Sequence, residues 1–177
     1  MEPYIYGSKN SIRVVVKNDE YYTPKNEWLN IRKYIPKGKR IWEPFNNVDN
    51  PSSLESSKYL KDMGFDVIAR PYNPRTGRND FFKSNHGDIV VSNPPFTMKR
   101  EVLKRLKDLN KPFILILPLP TMNTMYFREM FMNDKDFGII IPKKRIDFKN
   151  KKNDNSNCFE CAFYCWKVGV KGIKWID

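Results

Sequence analysis

At 177 residues the chain is long enough for one domain whose core needs no disulfide or metal staple. Hydrophobic residues at 40% and aromatics at 14% exclude a disordered chain. No run of 18 apolar residues could cross a membrane, and Met1-Glu2-Pro3-Tyr4 opens no apolar secretory core. The expectation is a soluble, intracellular protein with no membrane partner. Thirty-two Lys and Arg against 20 Asp and Glu leave a net charge of +12, which suits a polyanionic partner, most often nucleic acid. Asn, Lys and Ile are also plentiful, as AT-rich coding would make them, so part of the lysine excess can be compositional.

Residues 1–20 are polar and weakly patterned, with one β-branched run from Val14 to Val16. In "TPKNEWLNIRKYIP", 23–36, Thr23 is placed to cap a helix with Pro24 in its first turn; Trp28, Ile31 and Ile35 recur at helical spacing and Pro36 stops the run. "RIWEPF", 40–45, reads as a short buried strand ending at Glu43-Pro44. "PSSLESSKYLKDMG" reads as a helix with Ser52 and Glu55 as a capping box and Gly64 as its stop. "FDVIA", 65–69, is a second strand, followed by the polar loop "RPYNPRTGRN" and by "DFF" at 80–82.

"DIVVS", 88–92, is the next strand and "NPPF" its exit. Residues 98–109 are amphipathic, with Val102, Leu103, Leu106 and Leu109 on one face and Lys99, Arg100, Lys104, Arg105 and Lys107 mostly on the other. "FILILPL", 113–119, is an apolar strand, "MNTMYFREMFM" a helix and "FGIII" a further strand. The basic, mobile loop 143–157 leads to a closing strand near 159–168.

Cys158, Cys161 and Cys165 fall together in "CFECAFYC". Zinc wants four ligands, and the only histidine, His86, is distant in sequence; an odd thiol count also argues against a disulfide framework. A strand fits better: Phe159, Cys161, Phe163 and Cys165 share one face, and free cysteine packs as a small hydrophobe. No metal is expected.

Apolar strands alternating with helices predict an α/β fold, a mainly parallel sheet covered on both faces, with ligands at the carboxyl ends of the strands. "EPF" and "NPPF" should then open onto one crevice. The whole chain, 1–177, reads as a single domain, with residues 1–36 forming a segment and helix over that crevice.

The chemistry of Asn93-Pro94-Pro95-Phe96 is specific. The prolines fix φ and remove two N–H donors, which leaves the Asn93 side-chain oxygen and the Pro94 carbonyl as a line of acceptors. Such a pair can hold an exocyclic amine by both hydrogens while Phe96 stacks on the ring that bears it. The bland alternative is a Pro-Pro loop with Asn93 as a turn former.

This stretch resembles motif IV, D/N/S-P-P-Y/F/W, of the class I S-adenosylmethionine-dependent amino-methyltransferases, which act on adenine N6 in DNA, on RNA or on a protein glutamine amide. The resemblance covers about residues 19–168, including the order strand, NPPF, helix, strand. "DEYYTP", with Tyr22, Thr23 and Pro24, resembles the segment that lies over the methionine end of the cofactor in phage and large-DNA-virus adenine methyltransferases. "IWEPF" resembles motif I, which places Glu43, Pro44 and Phe45 at the cofactor-side turn. "DFF" resembles motif III, so Asp80 would accept from the cofactor's adenine amine and Phe81 would stack beside it. "CAFYCW" resembles the family's aromatic late strand. The resemblance implies a Rossmann-like class I fold with a late antiparallel strand, S-adenosylmethionine as cofactor, Asn93, Pro94, Pro95 and Phe96 as catalytic residues, and DNA ahead of RNA as substrate. In this scheme no strong general base is needed.

The chain departs from the pattern in three ways. After Glu43-Pro44 the family has glycines, where this chain has Phe45-Asn46-Asn47-Val48-Asp49-Asn50. The acidic residue that holds the ribose after strand two is replaced by Arg70-Pro71, and the stretch to Asp80 is short for a full third unit. No separate recognition domain is visible; Lys143, Lys144, Arg145, Lys149, Lys151 and Lys152 are the candidate phosphate contacts, against the alternative of a solvated charge run. A rival reading is therefore a catalytically inactive, methyltransferase-like subunit that binds nucleic acid or a partner chain. Homo- or hetero-oligomerisation stays open.

Overall fold

The computed structural model describes residues 4–6, 13–15, 21–148 and 160–177. Two short strands, β1 (Tyr4–Tyr6) and β2 (Arg13–Val15), pair with each other in an antiparallel ladder. The remaining elements are α1 (Lys25–Ile31), β3 (Ile41–Trp42), α2 (Glu55–Asp62), β4 (Val67–Ile68), β5 (Ile89–Ser92), α3 (Lys99–Asp108), β6 (Phe113–Pro118), α4 (Met125–Phe131), β7 (Phe137–Pro142), β8 (Cys161–Trp166) and β9 (Gly172–Ile176).

The sheet order is β4-β3-β5-β6-β8-β7-β9. Every neighbouring pair is parallel except those of β8, which runs antiparallel to both β6 and β7. This is the expected mainly parallel α/β sheet with one late antiparallel strand. Strand parity shows that both faces are covered. Successive β residues point to opposite faces; Phe163 meets Trp28 of α1, whereas Trp166 meets Phe131 of α4. Since α1 packs with α2 and α3 with α4, one helix pair lies on each side.

From β3 the chain crosses to β4 on one side, then returns past β3 to β5 on the other. A reversal of this kind leaves a crevice at the carboxyl ends of the two central strands. Both "EPF" and "NPPF" start there.

Several local expectations are corrected. Thr23 does not cap α1: Pro24 occupies the N-cap position without a side-chain hydrogen bond, and Thr23 is buried. Ser52 and Glu55 form no capping box, because Pro51–Leu54 first make a 3-10 turn and α2 begins only at Glu55. That turn is held from upstream, where Ser53 Oγ donates to the Asn50 carbonyl at 2.6 Å. The helix expected over 122–132 starts only at Met125, because Leu119–Asn123 are 3-10 and Thr124 is extended. "FDVIA" contributes only Val67 and Ile68 to the ladder.

Between β4 and β5 there is neither helix nor strand, only turns, so the short third unit is indeed absent. β9 was not anticipated. It is an edge strand whose Ile173 and Trp175 are exposed, and no buried apolar face announced it. Cys161 and Cys165 lie in the core on the Phe163 face of β8. Burial pushes the Cys161 thiol up to about 12 and raises Cys165 as well. Cys158 and Phe159 lie outside the described residues.

Candidate active site at the β3–β5 crevice

β3 continues one residue past its ladder, where the Glu43 N–H donates to the Ile68 carbonyl at 3.1 Å, and this fixes Glu43 at the carboxyl end of the strand. Glu43 is 3% exposed. Ser92, the last residue of β5, donates its hydroxyl to Glu43 Oε1, while Oε2 is buried without a hydrogen bond. Burial pushes the carboxyl up to about 7, against the opposing pull of the Ser92 hydroxyl, the Phe45 backbone and the Asn46 amide.

The turn after Glu43 is built without glycine. Asn46 Nδ2 donates to the Glu43 carbonyl at 2.9 Å, the Asn47 N–H to Ser53 Oγ at 2.9 Å, and the Asp49 N–H to Asn47 Oδ1 at 2.8 Å. No residue from 43 to 50 has a positive φ. The turn therefore avoids the left-handed conformation for which glycine is the usual choice. Amide side chains close it instead, as Asx-turns do.

Across the crevice, Asn93 follows Ser92 directly. Its Nδ2 donates to the Tyr21 carbonyl at 2.8 Å, which fixes the amide and leaves Oδ1 buried with no partner. Pro94 is buried and Pro95 half-buried; Phe96 opens a 3-10 turn that leads into α3. The Phe96 ring, 8% exposed, stacks on Tyr21 with centroids 5.6 Å apart and planes at 21°. Phe148 meets Phe96 edge-on at 6.1 Å and Tyr21 at 5.7 Å. Sequence reasoning missed both partners. Tyr21 lies inside "DEYYTP", from which only Tyr22, Thr23 and Pro24 are named as site residues. Phe148 sat in a charge run whose alternation, Ile146 and Phe148 buried between exposed Arg145 and Asp147, was the available signal.

The segment 21–24 bridges the two walls. One step after Tyr21, the Tyr22 hydroxyl accepts from Asn50 Nδ2 at 2.6 Å; Thr23 is buried and Pro24 half-buried. Asp80 is buried and starts a turn, with Oδ1 accepting from the Phe82 N–H at 2.9 Å. Tyr72 lies near it: burial, then the Asp80 charge, raise the Tyr72 phenol. Phe81 is fully buried against Trp42 at 5.4 Å and Phe45 at 4.9 Å, so its ring faces core aromatics. Pro44 is buried and Phe45 half-buried. At the end of β4, Arg70 is exposed.

Lys143, Lys144 and Arg145 are exposed just after β7, and Lys143 reaches Asp177 at 2.9 Å. Lys149, Lys151 and Lys152 lie outside the described residues.

Buried polar atoms are rarely left without a partner. Here Thr23 Oγ1, Glu43 Oε2, Asn46 Oδ1, Asn47 Nδ2 and Asn93 Oδ1 all lack one. They belong to one connected region, joined by the Glu43–Ser92, Asn46–Glu43, Asn50–Tyr22 and Asn93–Tyr21 hydrogen bonds. A carboxylate, a hydroxyl and three amides make a donor and acceptor set that fits a ligand carrying amine, hydroxyl and carboxyl groups, as S-adenosylmethionine does.

No protein-family description matches the chain, and no curated protein matches it. Among solved structures it is similar to a crystal structure described as a modification subunit of a type I restriction enzyme from Vibrio vulnificus, with a TM-score of 0.51 and 9% identity. The match covers 90% of this chain and 48% of that one, so the chain spans about half the length of its structural neighbour. At that identity the likeness concerns the fold alone, a Rossmann-like, mainly parallel α/β sheet with one antiparallel strand.

Proposed function

We propose that the chain transfers a methyl group from S-adenosylmethionine to an exocyclic amine, with adenine N6 in DNA as the substrate. The observation that carries this reading is the Asn93 amide at the carboxyl end of a central strand, linked through Tyr21 to the Phe96 ring. Its Oδ1 is buried without a partner. That oxygen and the Pro94 carbonyl would each take one hydrogen of the amine and turn its lone pair out of conjugation. When bound, S-adenosylmethionine would supply an electrophilic sulfonium methyl group with a neutral thioether as the leaving group. The nitrogen that gains the methyl sheds its extra proton to the Pro94 carbonyl or to solvent. Glu43, Asn46 and Asn47, together with Tyr22, Thr23, Pro24 and Asp80, would hold the cofactor. Stacking on Phe96 would return about 1–3 kcal/mol of the few kcal/mol that base flipping costs.

The net charge of +12 and the exposed Lys143, Lys144 and Arg145 suit phosphate contact that positions DNA without reading its sequence. The structural neighbour's description as a modification subunit agrees with DNA as substrate and with sequence readout by a partner chain.

Asn93→Ala is expected to abolish methyl transfer while cofactor binding persists, measured by nucleoside mass spectrometry of co-expressed DNA and by calorimetry. Normal N6-methyladenine from that variant would refute the role of Asn93. The buried Phe81 and exposed Arg70 favour a second reading, an inactive methyltransferase-like subunit. Cofactor binding that weakens in Asp80→Asn supports the enzyme; no heat of binding at millimolar cofactor supports the subunit. Methylated RNA or protein amide in place of DNA would keep the chemistry and change the substrate.

A further inference from the structure

We infer that Tyr21 is a built-in stand-in for the target ring, so that substrate must displace it before the Asn93–Phe96 turn can act. The inference rests on reading that turn as the amine site.

The argument begins with space. A flat ring inserted between two others needs about 7 Å between the outer planes, two contacts of about 3.5 Å each. Tyr21 and Phe96 have centroids 5.6 Å apart in a near-parallel stack, so nothing enters between them. The other approach to Phe96 is taken by Phe148, edge-on at 6.1 Å, and Phe96 itself is 8% exposed. One ring must leave before a base can stack. Phe148 is buried at 5% exposure, with Ile146 buried at 1% two residues before it, whereas Tyr21 is half-buried. Of the two rings, Tyr21 is the less buried, so its departure costs less burial.

Tyr21 also copies the chemistry of a substrate. Its ring lies on Phe96 as a base would, and its carbonyl accepts from Asn93 Nδ2. When it departs, the Asn93 amide presents a donor beside its open acceptor. That edge matches an NH2 group flanked by a ring nitrogen, as in adenine and cytosine. A glutamine amide matches the edge but has no ring to replace that of Tyr21 on Phe96. The site therefore selects aromatic amines, by exchange of like for like.

Displacement is also communicated. Tyr21 is joined through Tyr22 to Asn50 in the cofactor-side turn, so a strap that moves at one wall pulls on the other.

The test titrates a short single-stranded DNA, with 2-aminopurine replacing one adenine, and follows its fluorescence. Tyr21→Ala is expected to bind the probe about 2- to 10-fold more tightly than the unmodified chain, the range of a single aromatic pair. Tyr21→Phe keeps the ring and hence the block. Phe96→Ala should bind more weakly. If Tyr21→Ala does not fold, Tyr21→Leu fills the strap without a flat ring and takes its place. Equal or weaker binding by the ring-less variants, with Phe96→Ala still weakened, overturns the stand-in role and spares the amine site. Unchanged binding by Phe96→Ala, or no binding by any form, overturns both.

Discussion

The two ends of the sheet are held by different means. β6, β7 and β8 are six residues each, and their ladders are flanked by packed aromatic rings from Phe113, Phe127, Phe131, Phe137, Tyr164 and Trp166. β3 and β4 pair over two residues, and beyond them the chain is carried by amide and hydroxyl side chains. One end is an apolar block, the other a polar frame around several unsatisfied buried atoms. β5 sits between them and delivers Asn93 from the stiff side to the polar one. The comparison teaches where precision comes from: an amide can be left waiting at the crevice because the strands next to it have no freedom to relax around it.

Truncation in the apolar block should give the largest effect. Phe163 is fully buried on β8 and meets Trp28 of α1, so Phe163→Ala is expected to cost about 3–5 kcal/mol in chemical denaturation. A loss below about 1 kcal/mol would mean that the site collapses freely around the gap, and that this end is not the rigid half.

At the polar end the next effect depends on pH. The Glu43 carboxyl ionises near 4.5 in the unfolded chain and near 7 in the folded one. Between those values the folded state holds the extra proton. The Glu43 contribution to stability is therefore greatest below about 4.5, falls as pH rises to about 7, and is level above it, with a total of about 3 kcal/mol. Glu43→Gln is neutral throughout and should remove that part of the slope, and it should be more stable than the unmodified chain at pH 8. Urea unfolding at pH 5 and pH 8 reads the difference directly. An unaltered slope would place the titrating group elsewhere.

Much of the apolar block could be read in the sequence, because long buried strands and amphipathic helices write their period into the residues: "FILILP", "FGIII" and the α3 face are examples. The NPPF turn was legible for a different reason, since two prolines after a buried strand leave few other conformations. The polar end was harder. The absence of glycine after Glu43 suggests a weakened turn, yet Asn47, Ser53 and Asn46 close it through contacts that no periodicity announces. Burial of Phe81 depends on Trp42 and Phe45 arriving from another strand. Tyr21 and Phe148 meet Phe96 from 75 residues before it and 52 after it, a distance over which sequence spacing carries no information.

The smallest effect tests whether charge or backbone holds the polar end together. Arg75 reaches Asp49 at 2.8 Å and ties the loop after β4 to the turn after β3, but the two side chains are 71% and 35% exposed. An ion pair so open to water contributes about 0.2–1 kcal/mol and weakens with salt. The same two segments are joined by backbone hydrogen bonds, the Tyr72 N–H to the Asn46 carbonyl at 2.8 Å and the Val48 N–H to the Tyr72 carbonyl at 3.2 Å. These are shielded by the buried Tyr72 ring and do not depend on Arg75. Arg75→Ala should accordingly lower stability by less than about 1 kcal/mol, and the gap to the unmodified chain should close at high salt. A loss of 2 kcal/mol or more, persisting in salt, would make Arg75 a structural clamp on the turn that carries Asn46 and Asn47. The polar frame would then owe its shape to a surface charge rather than to paired backbone.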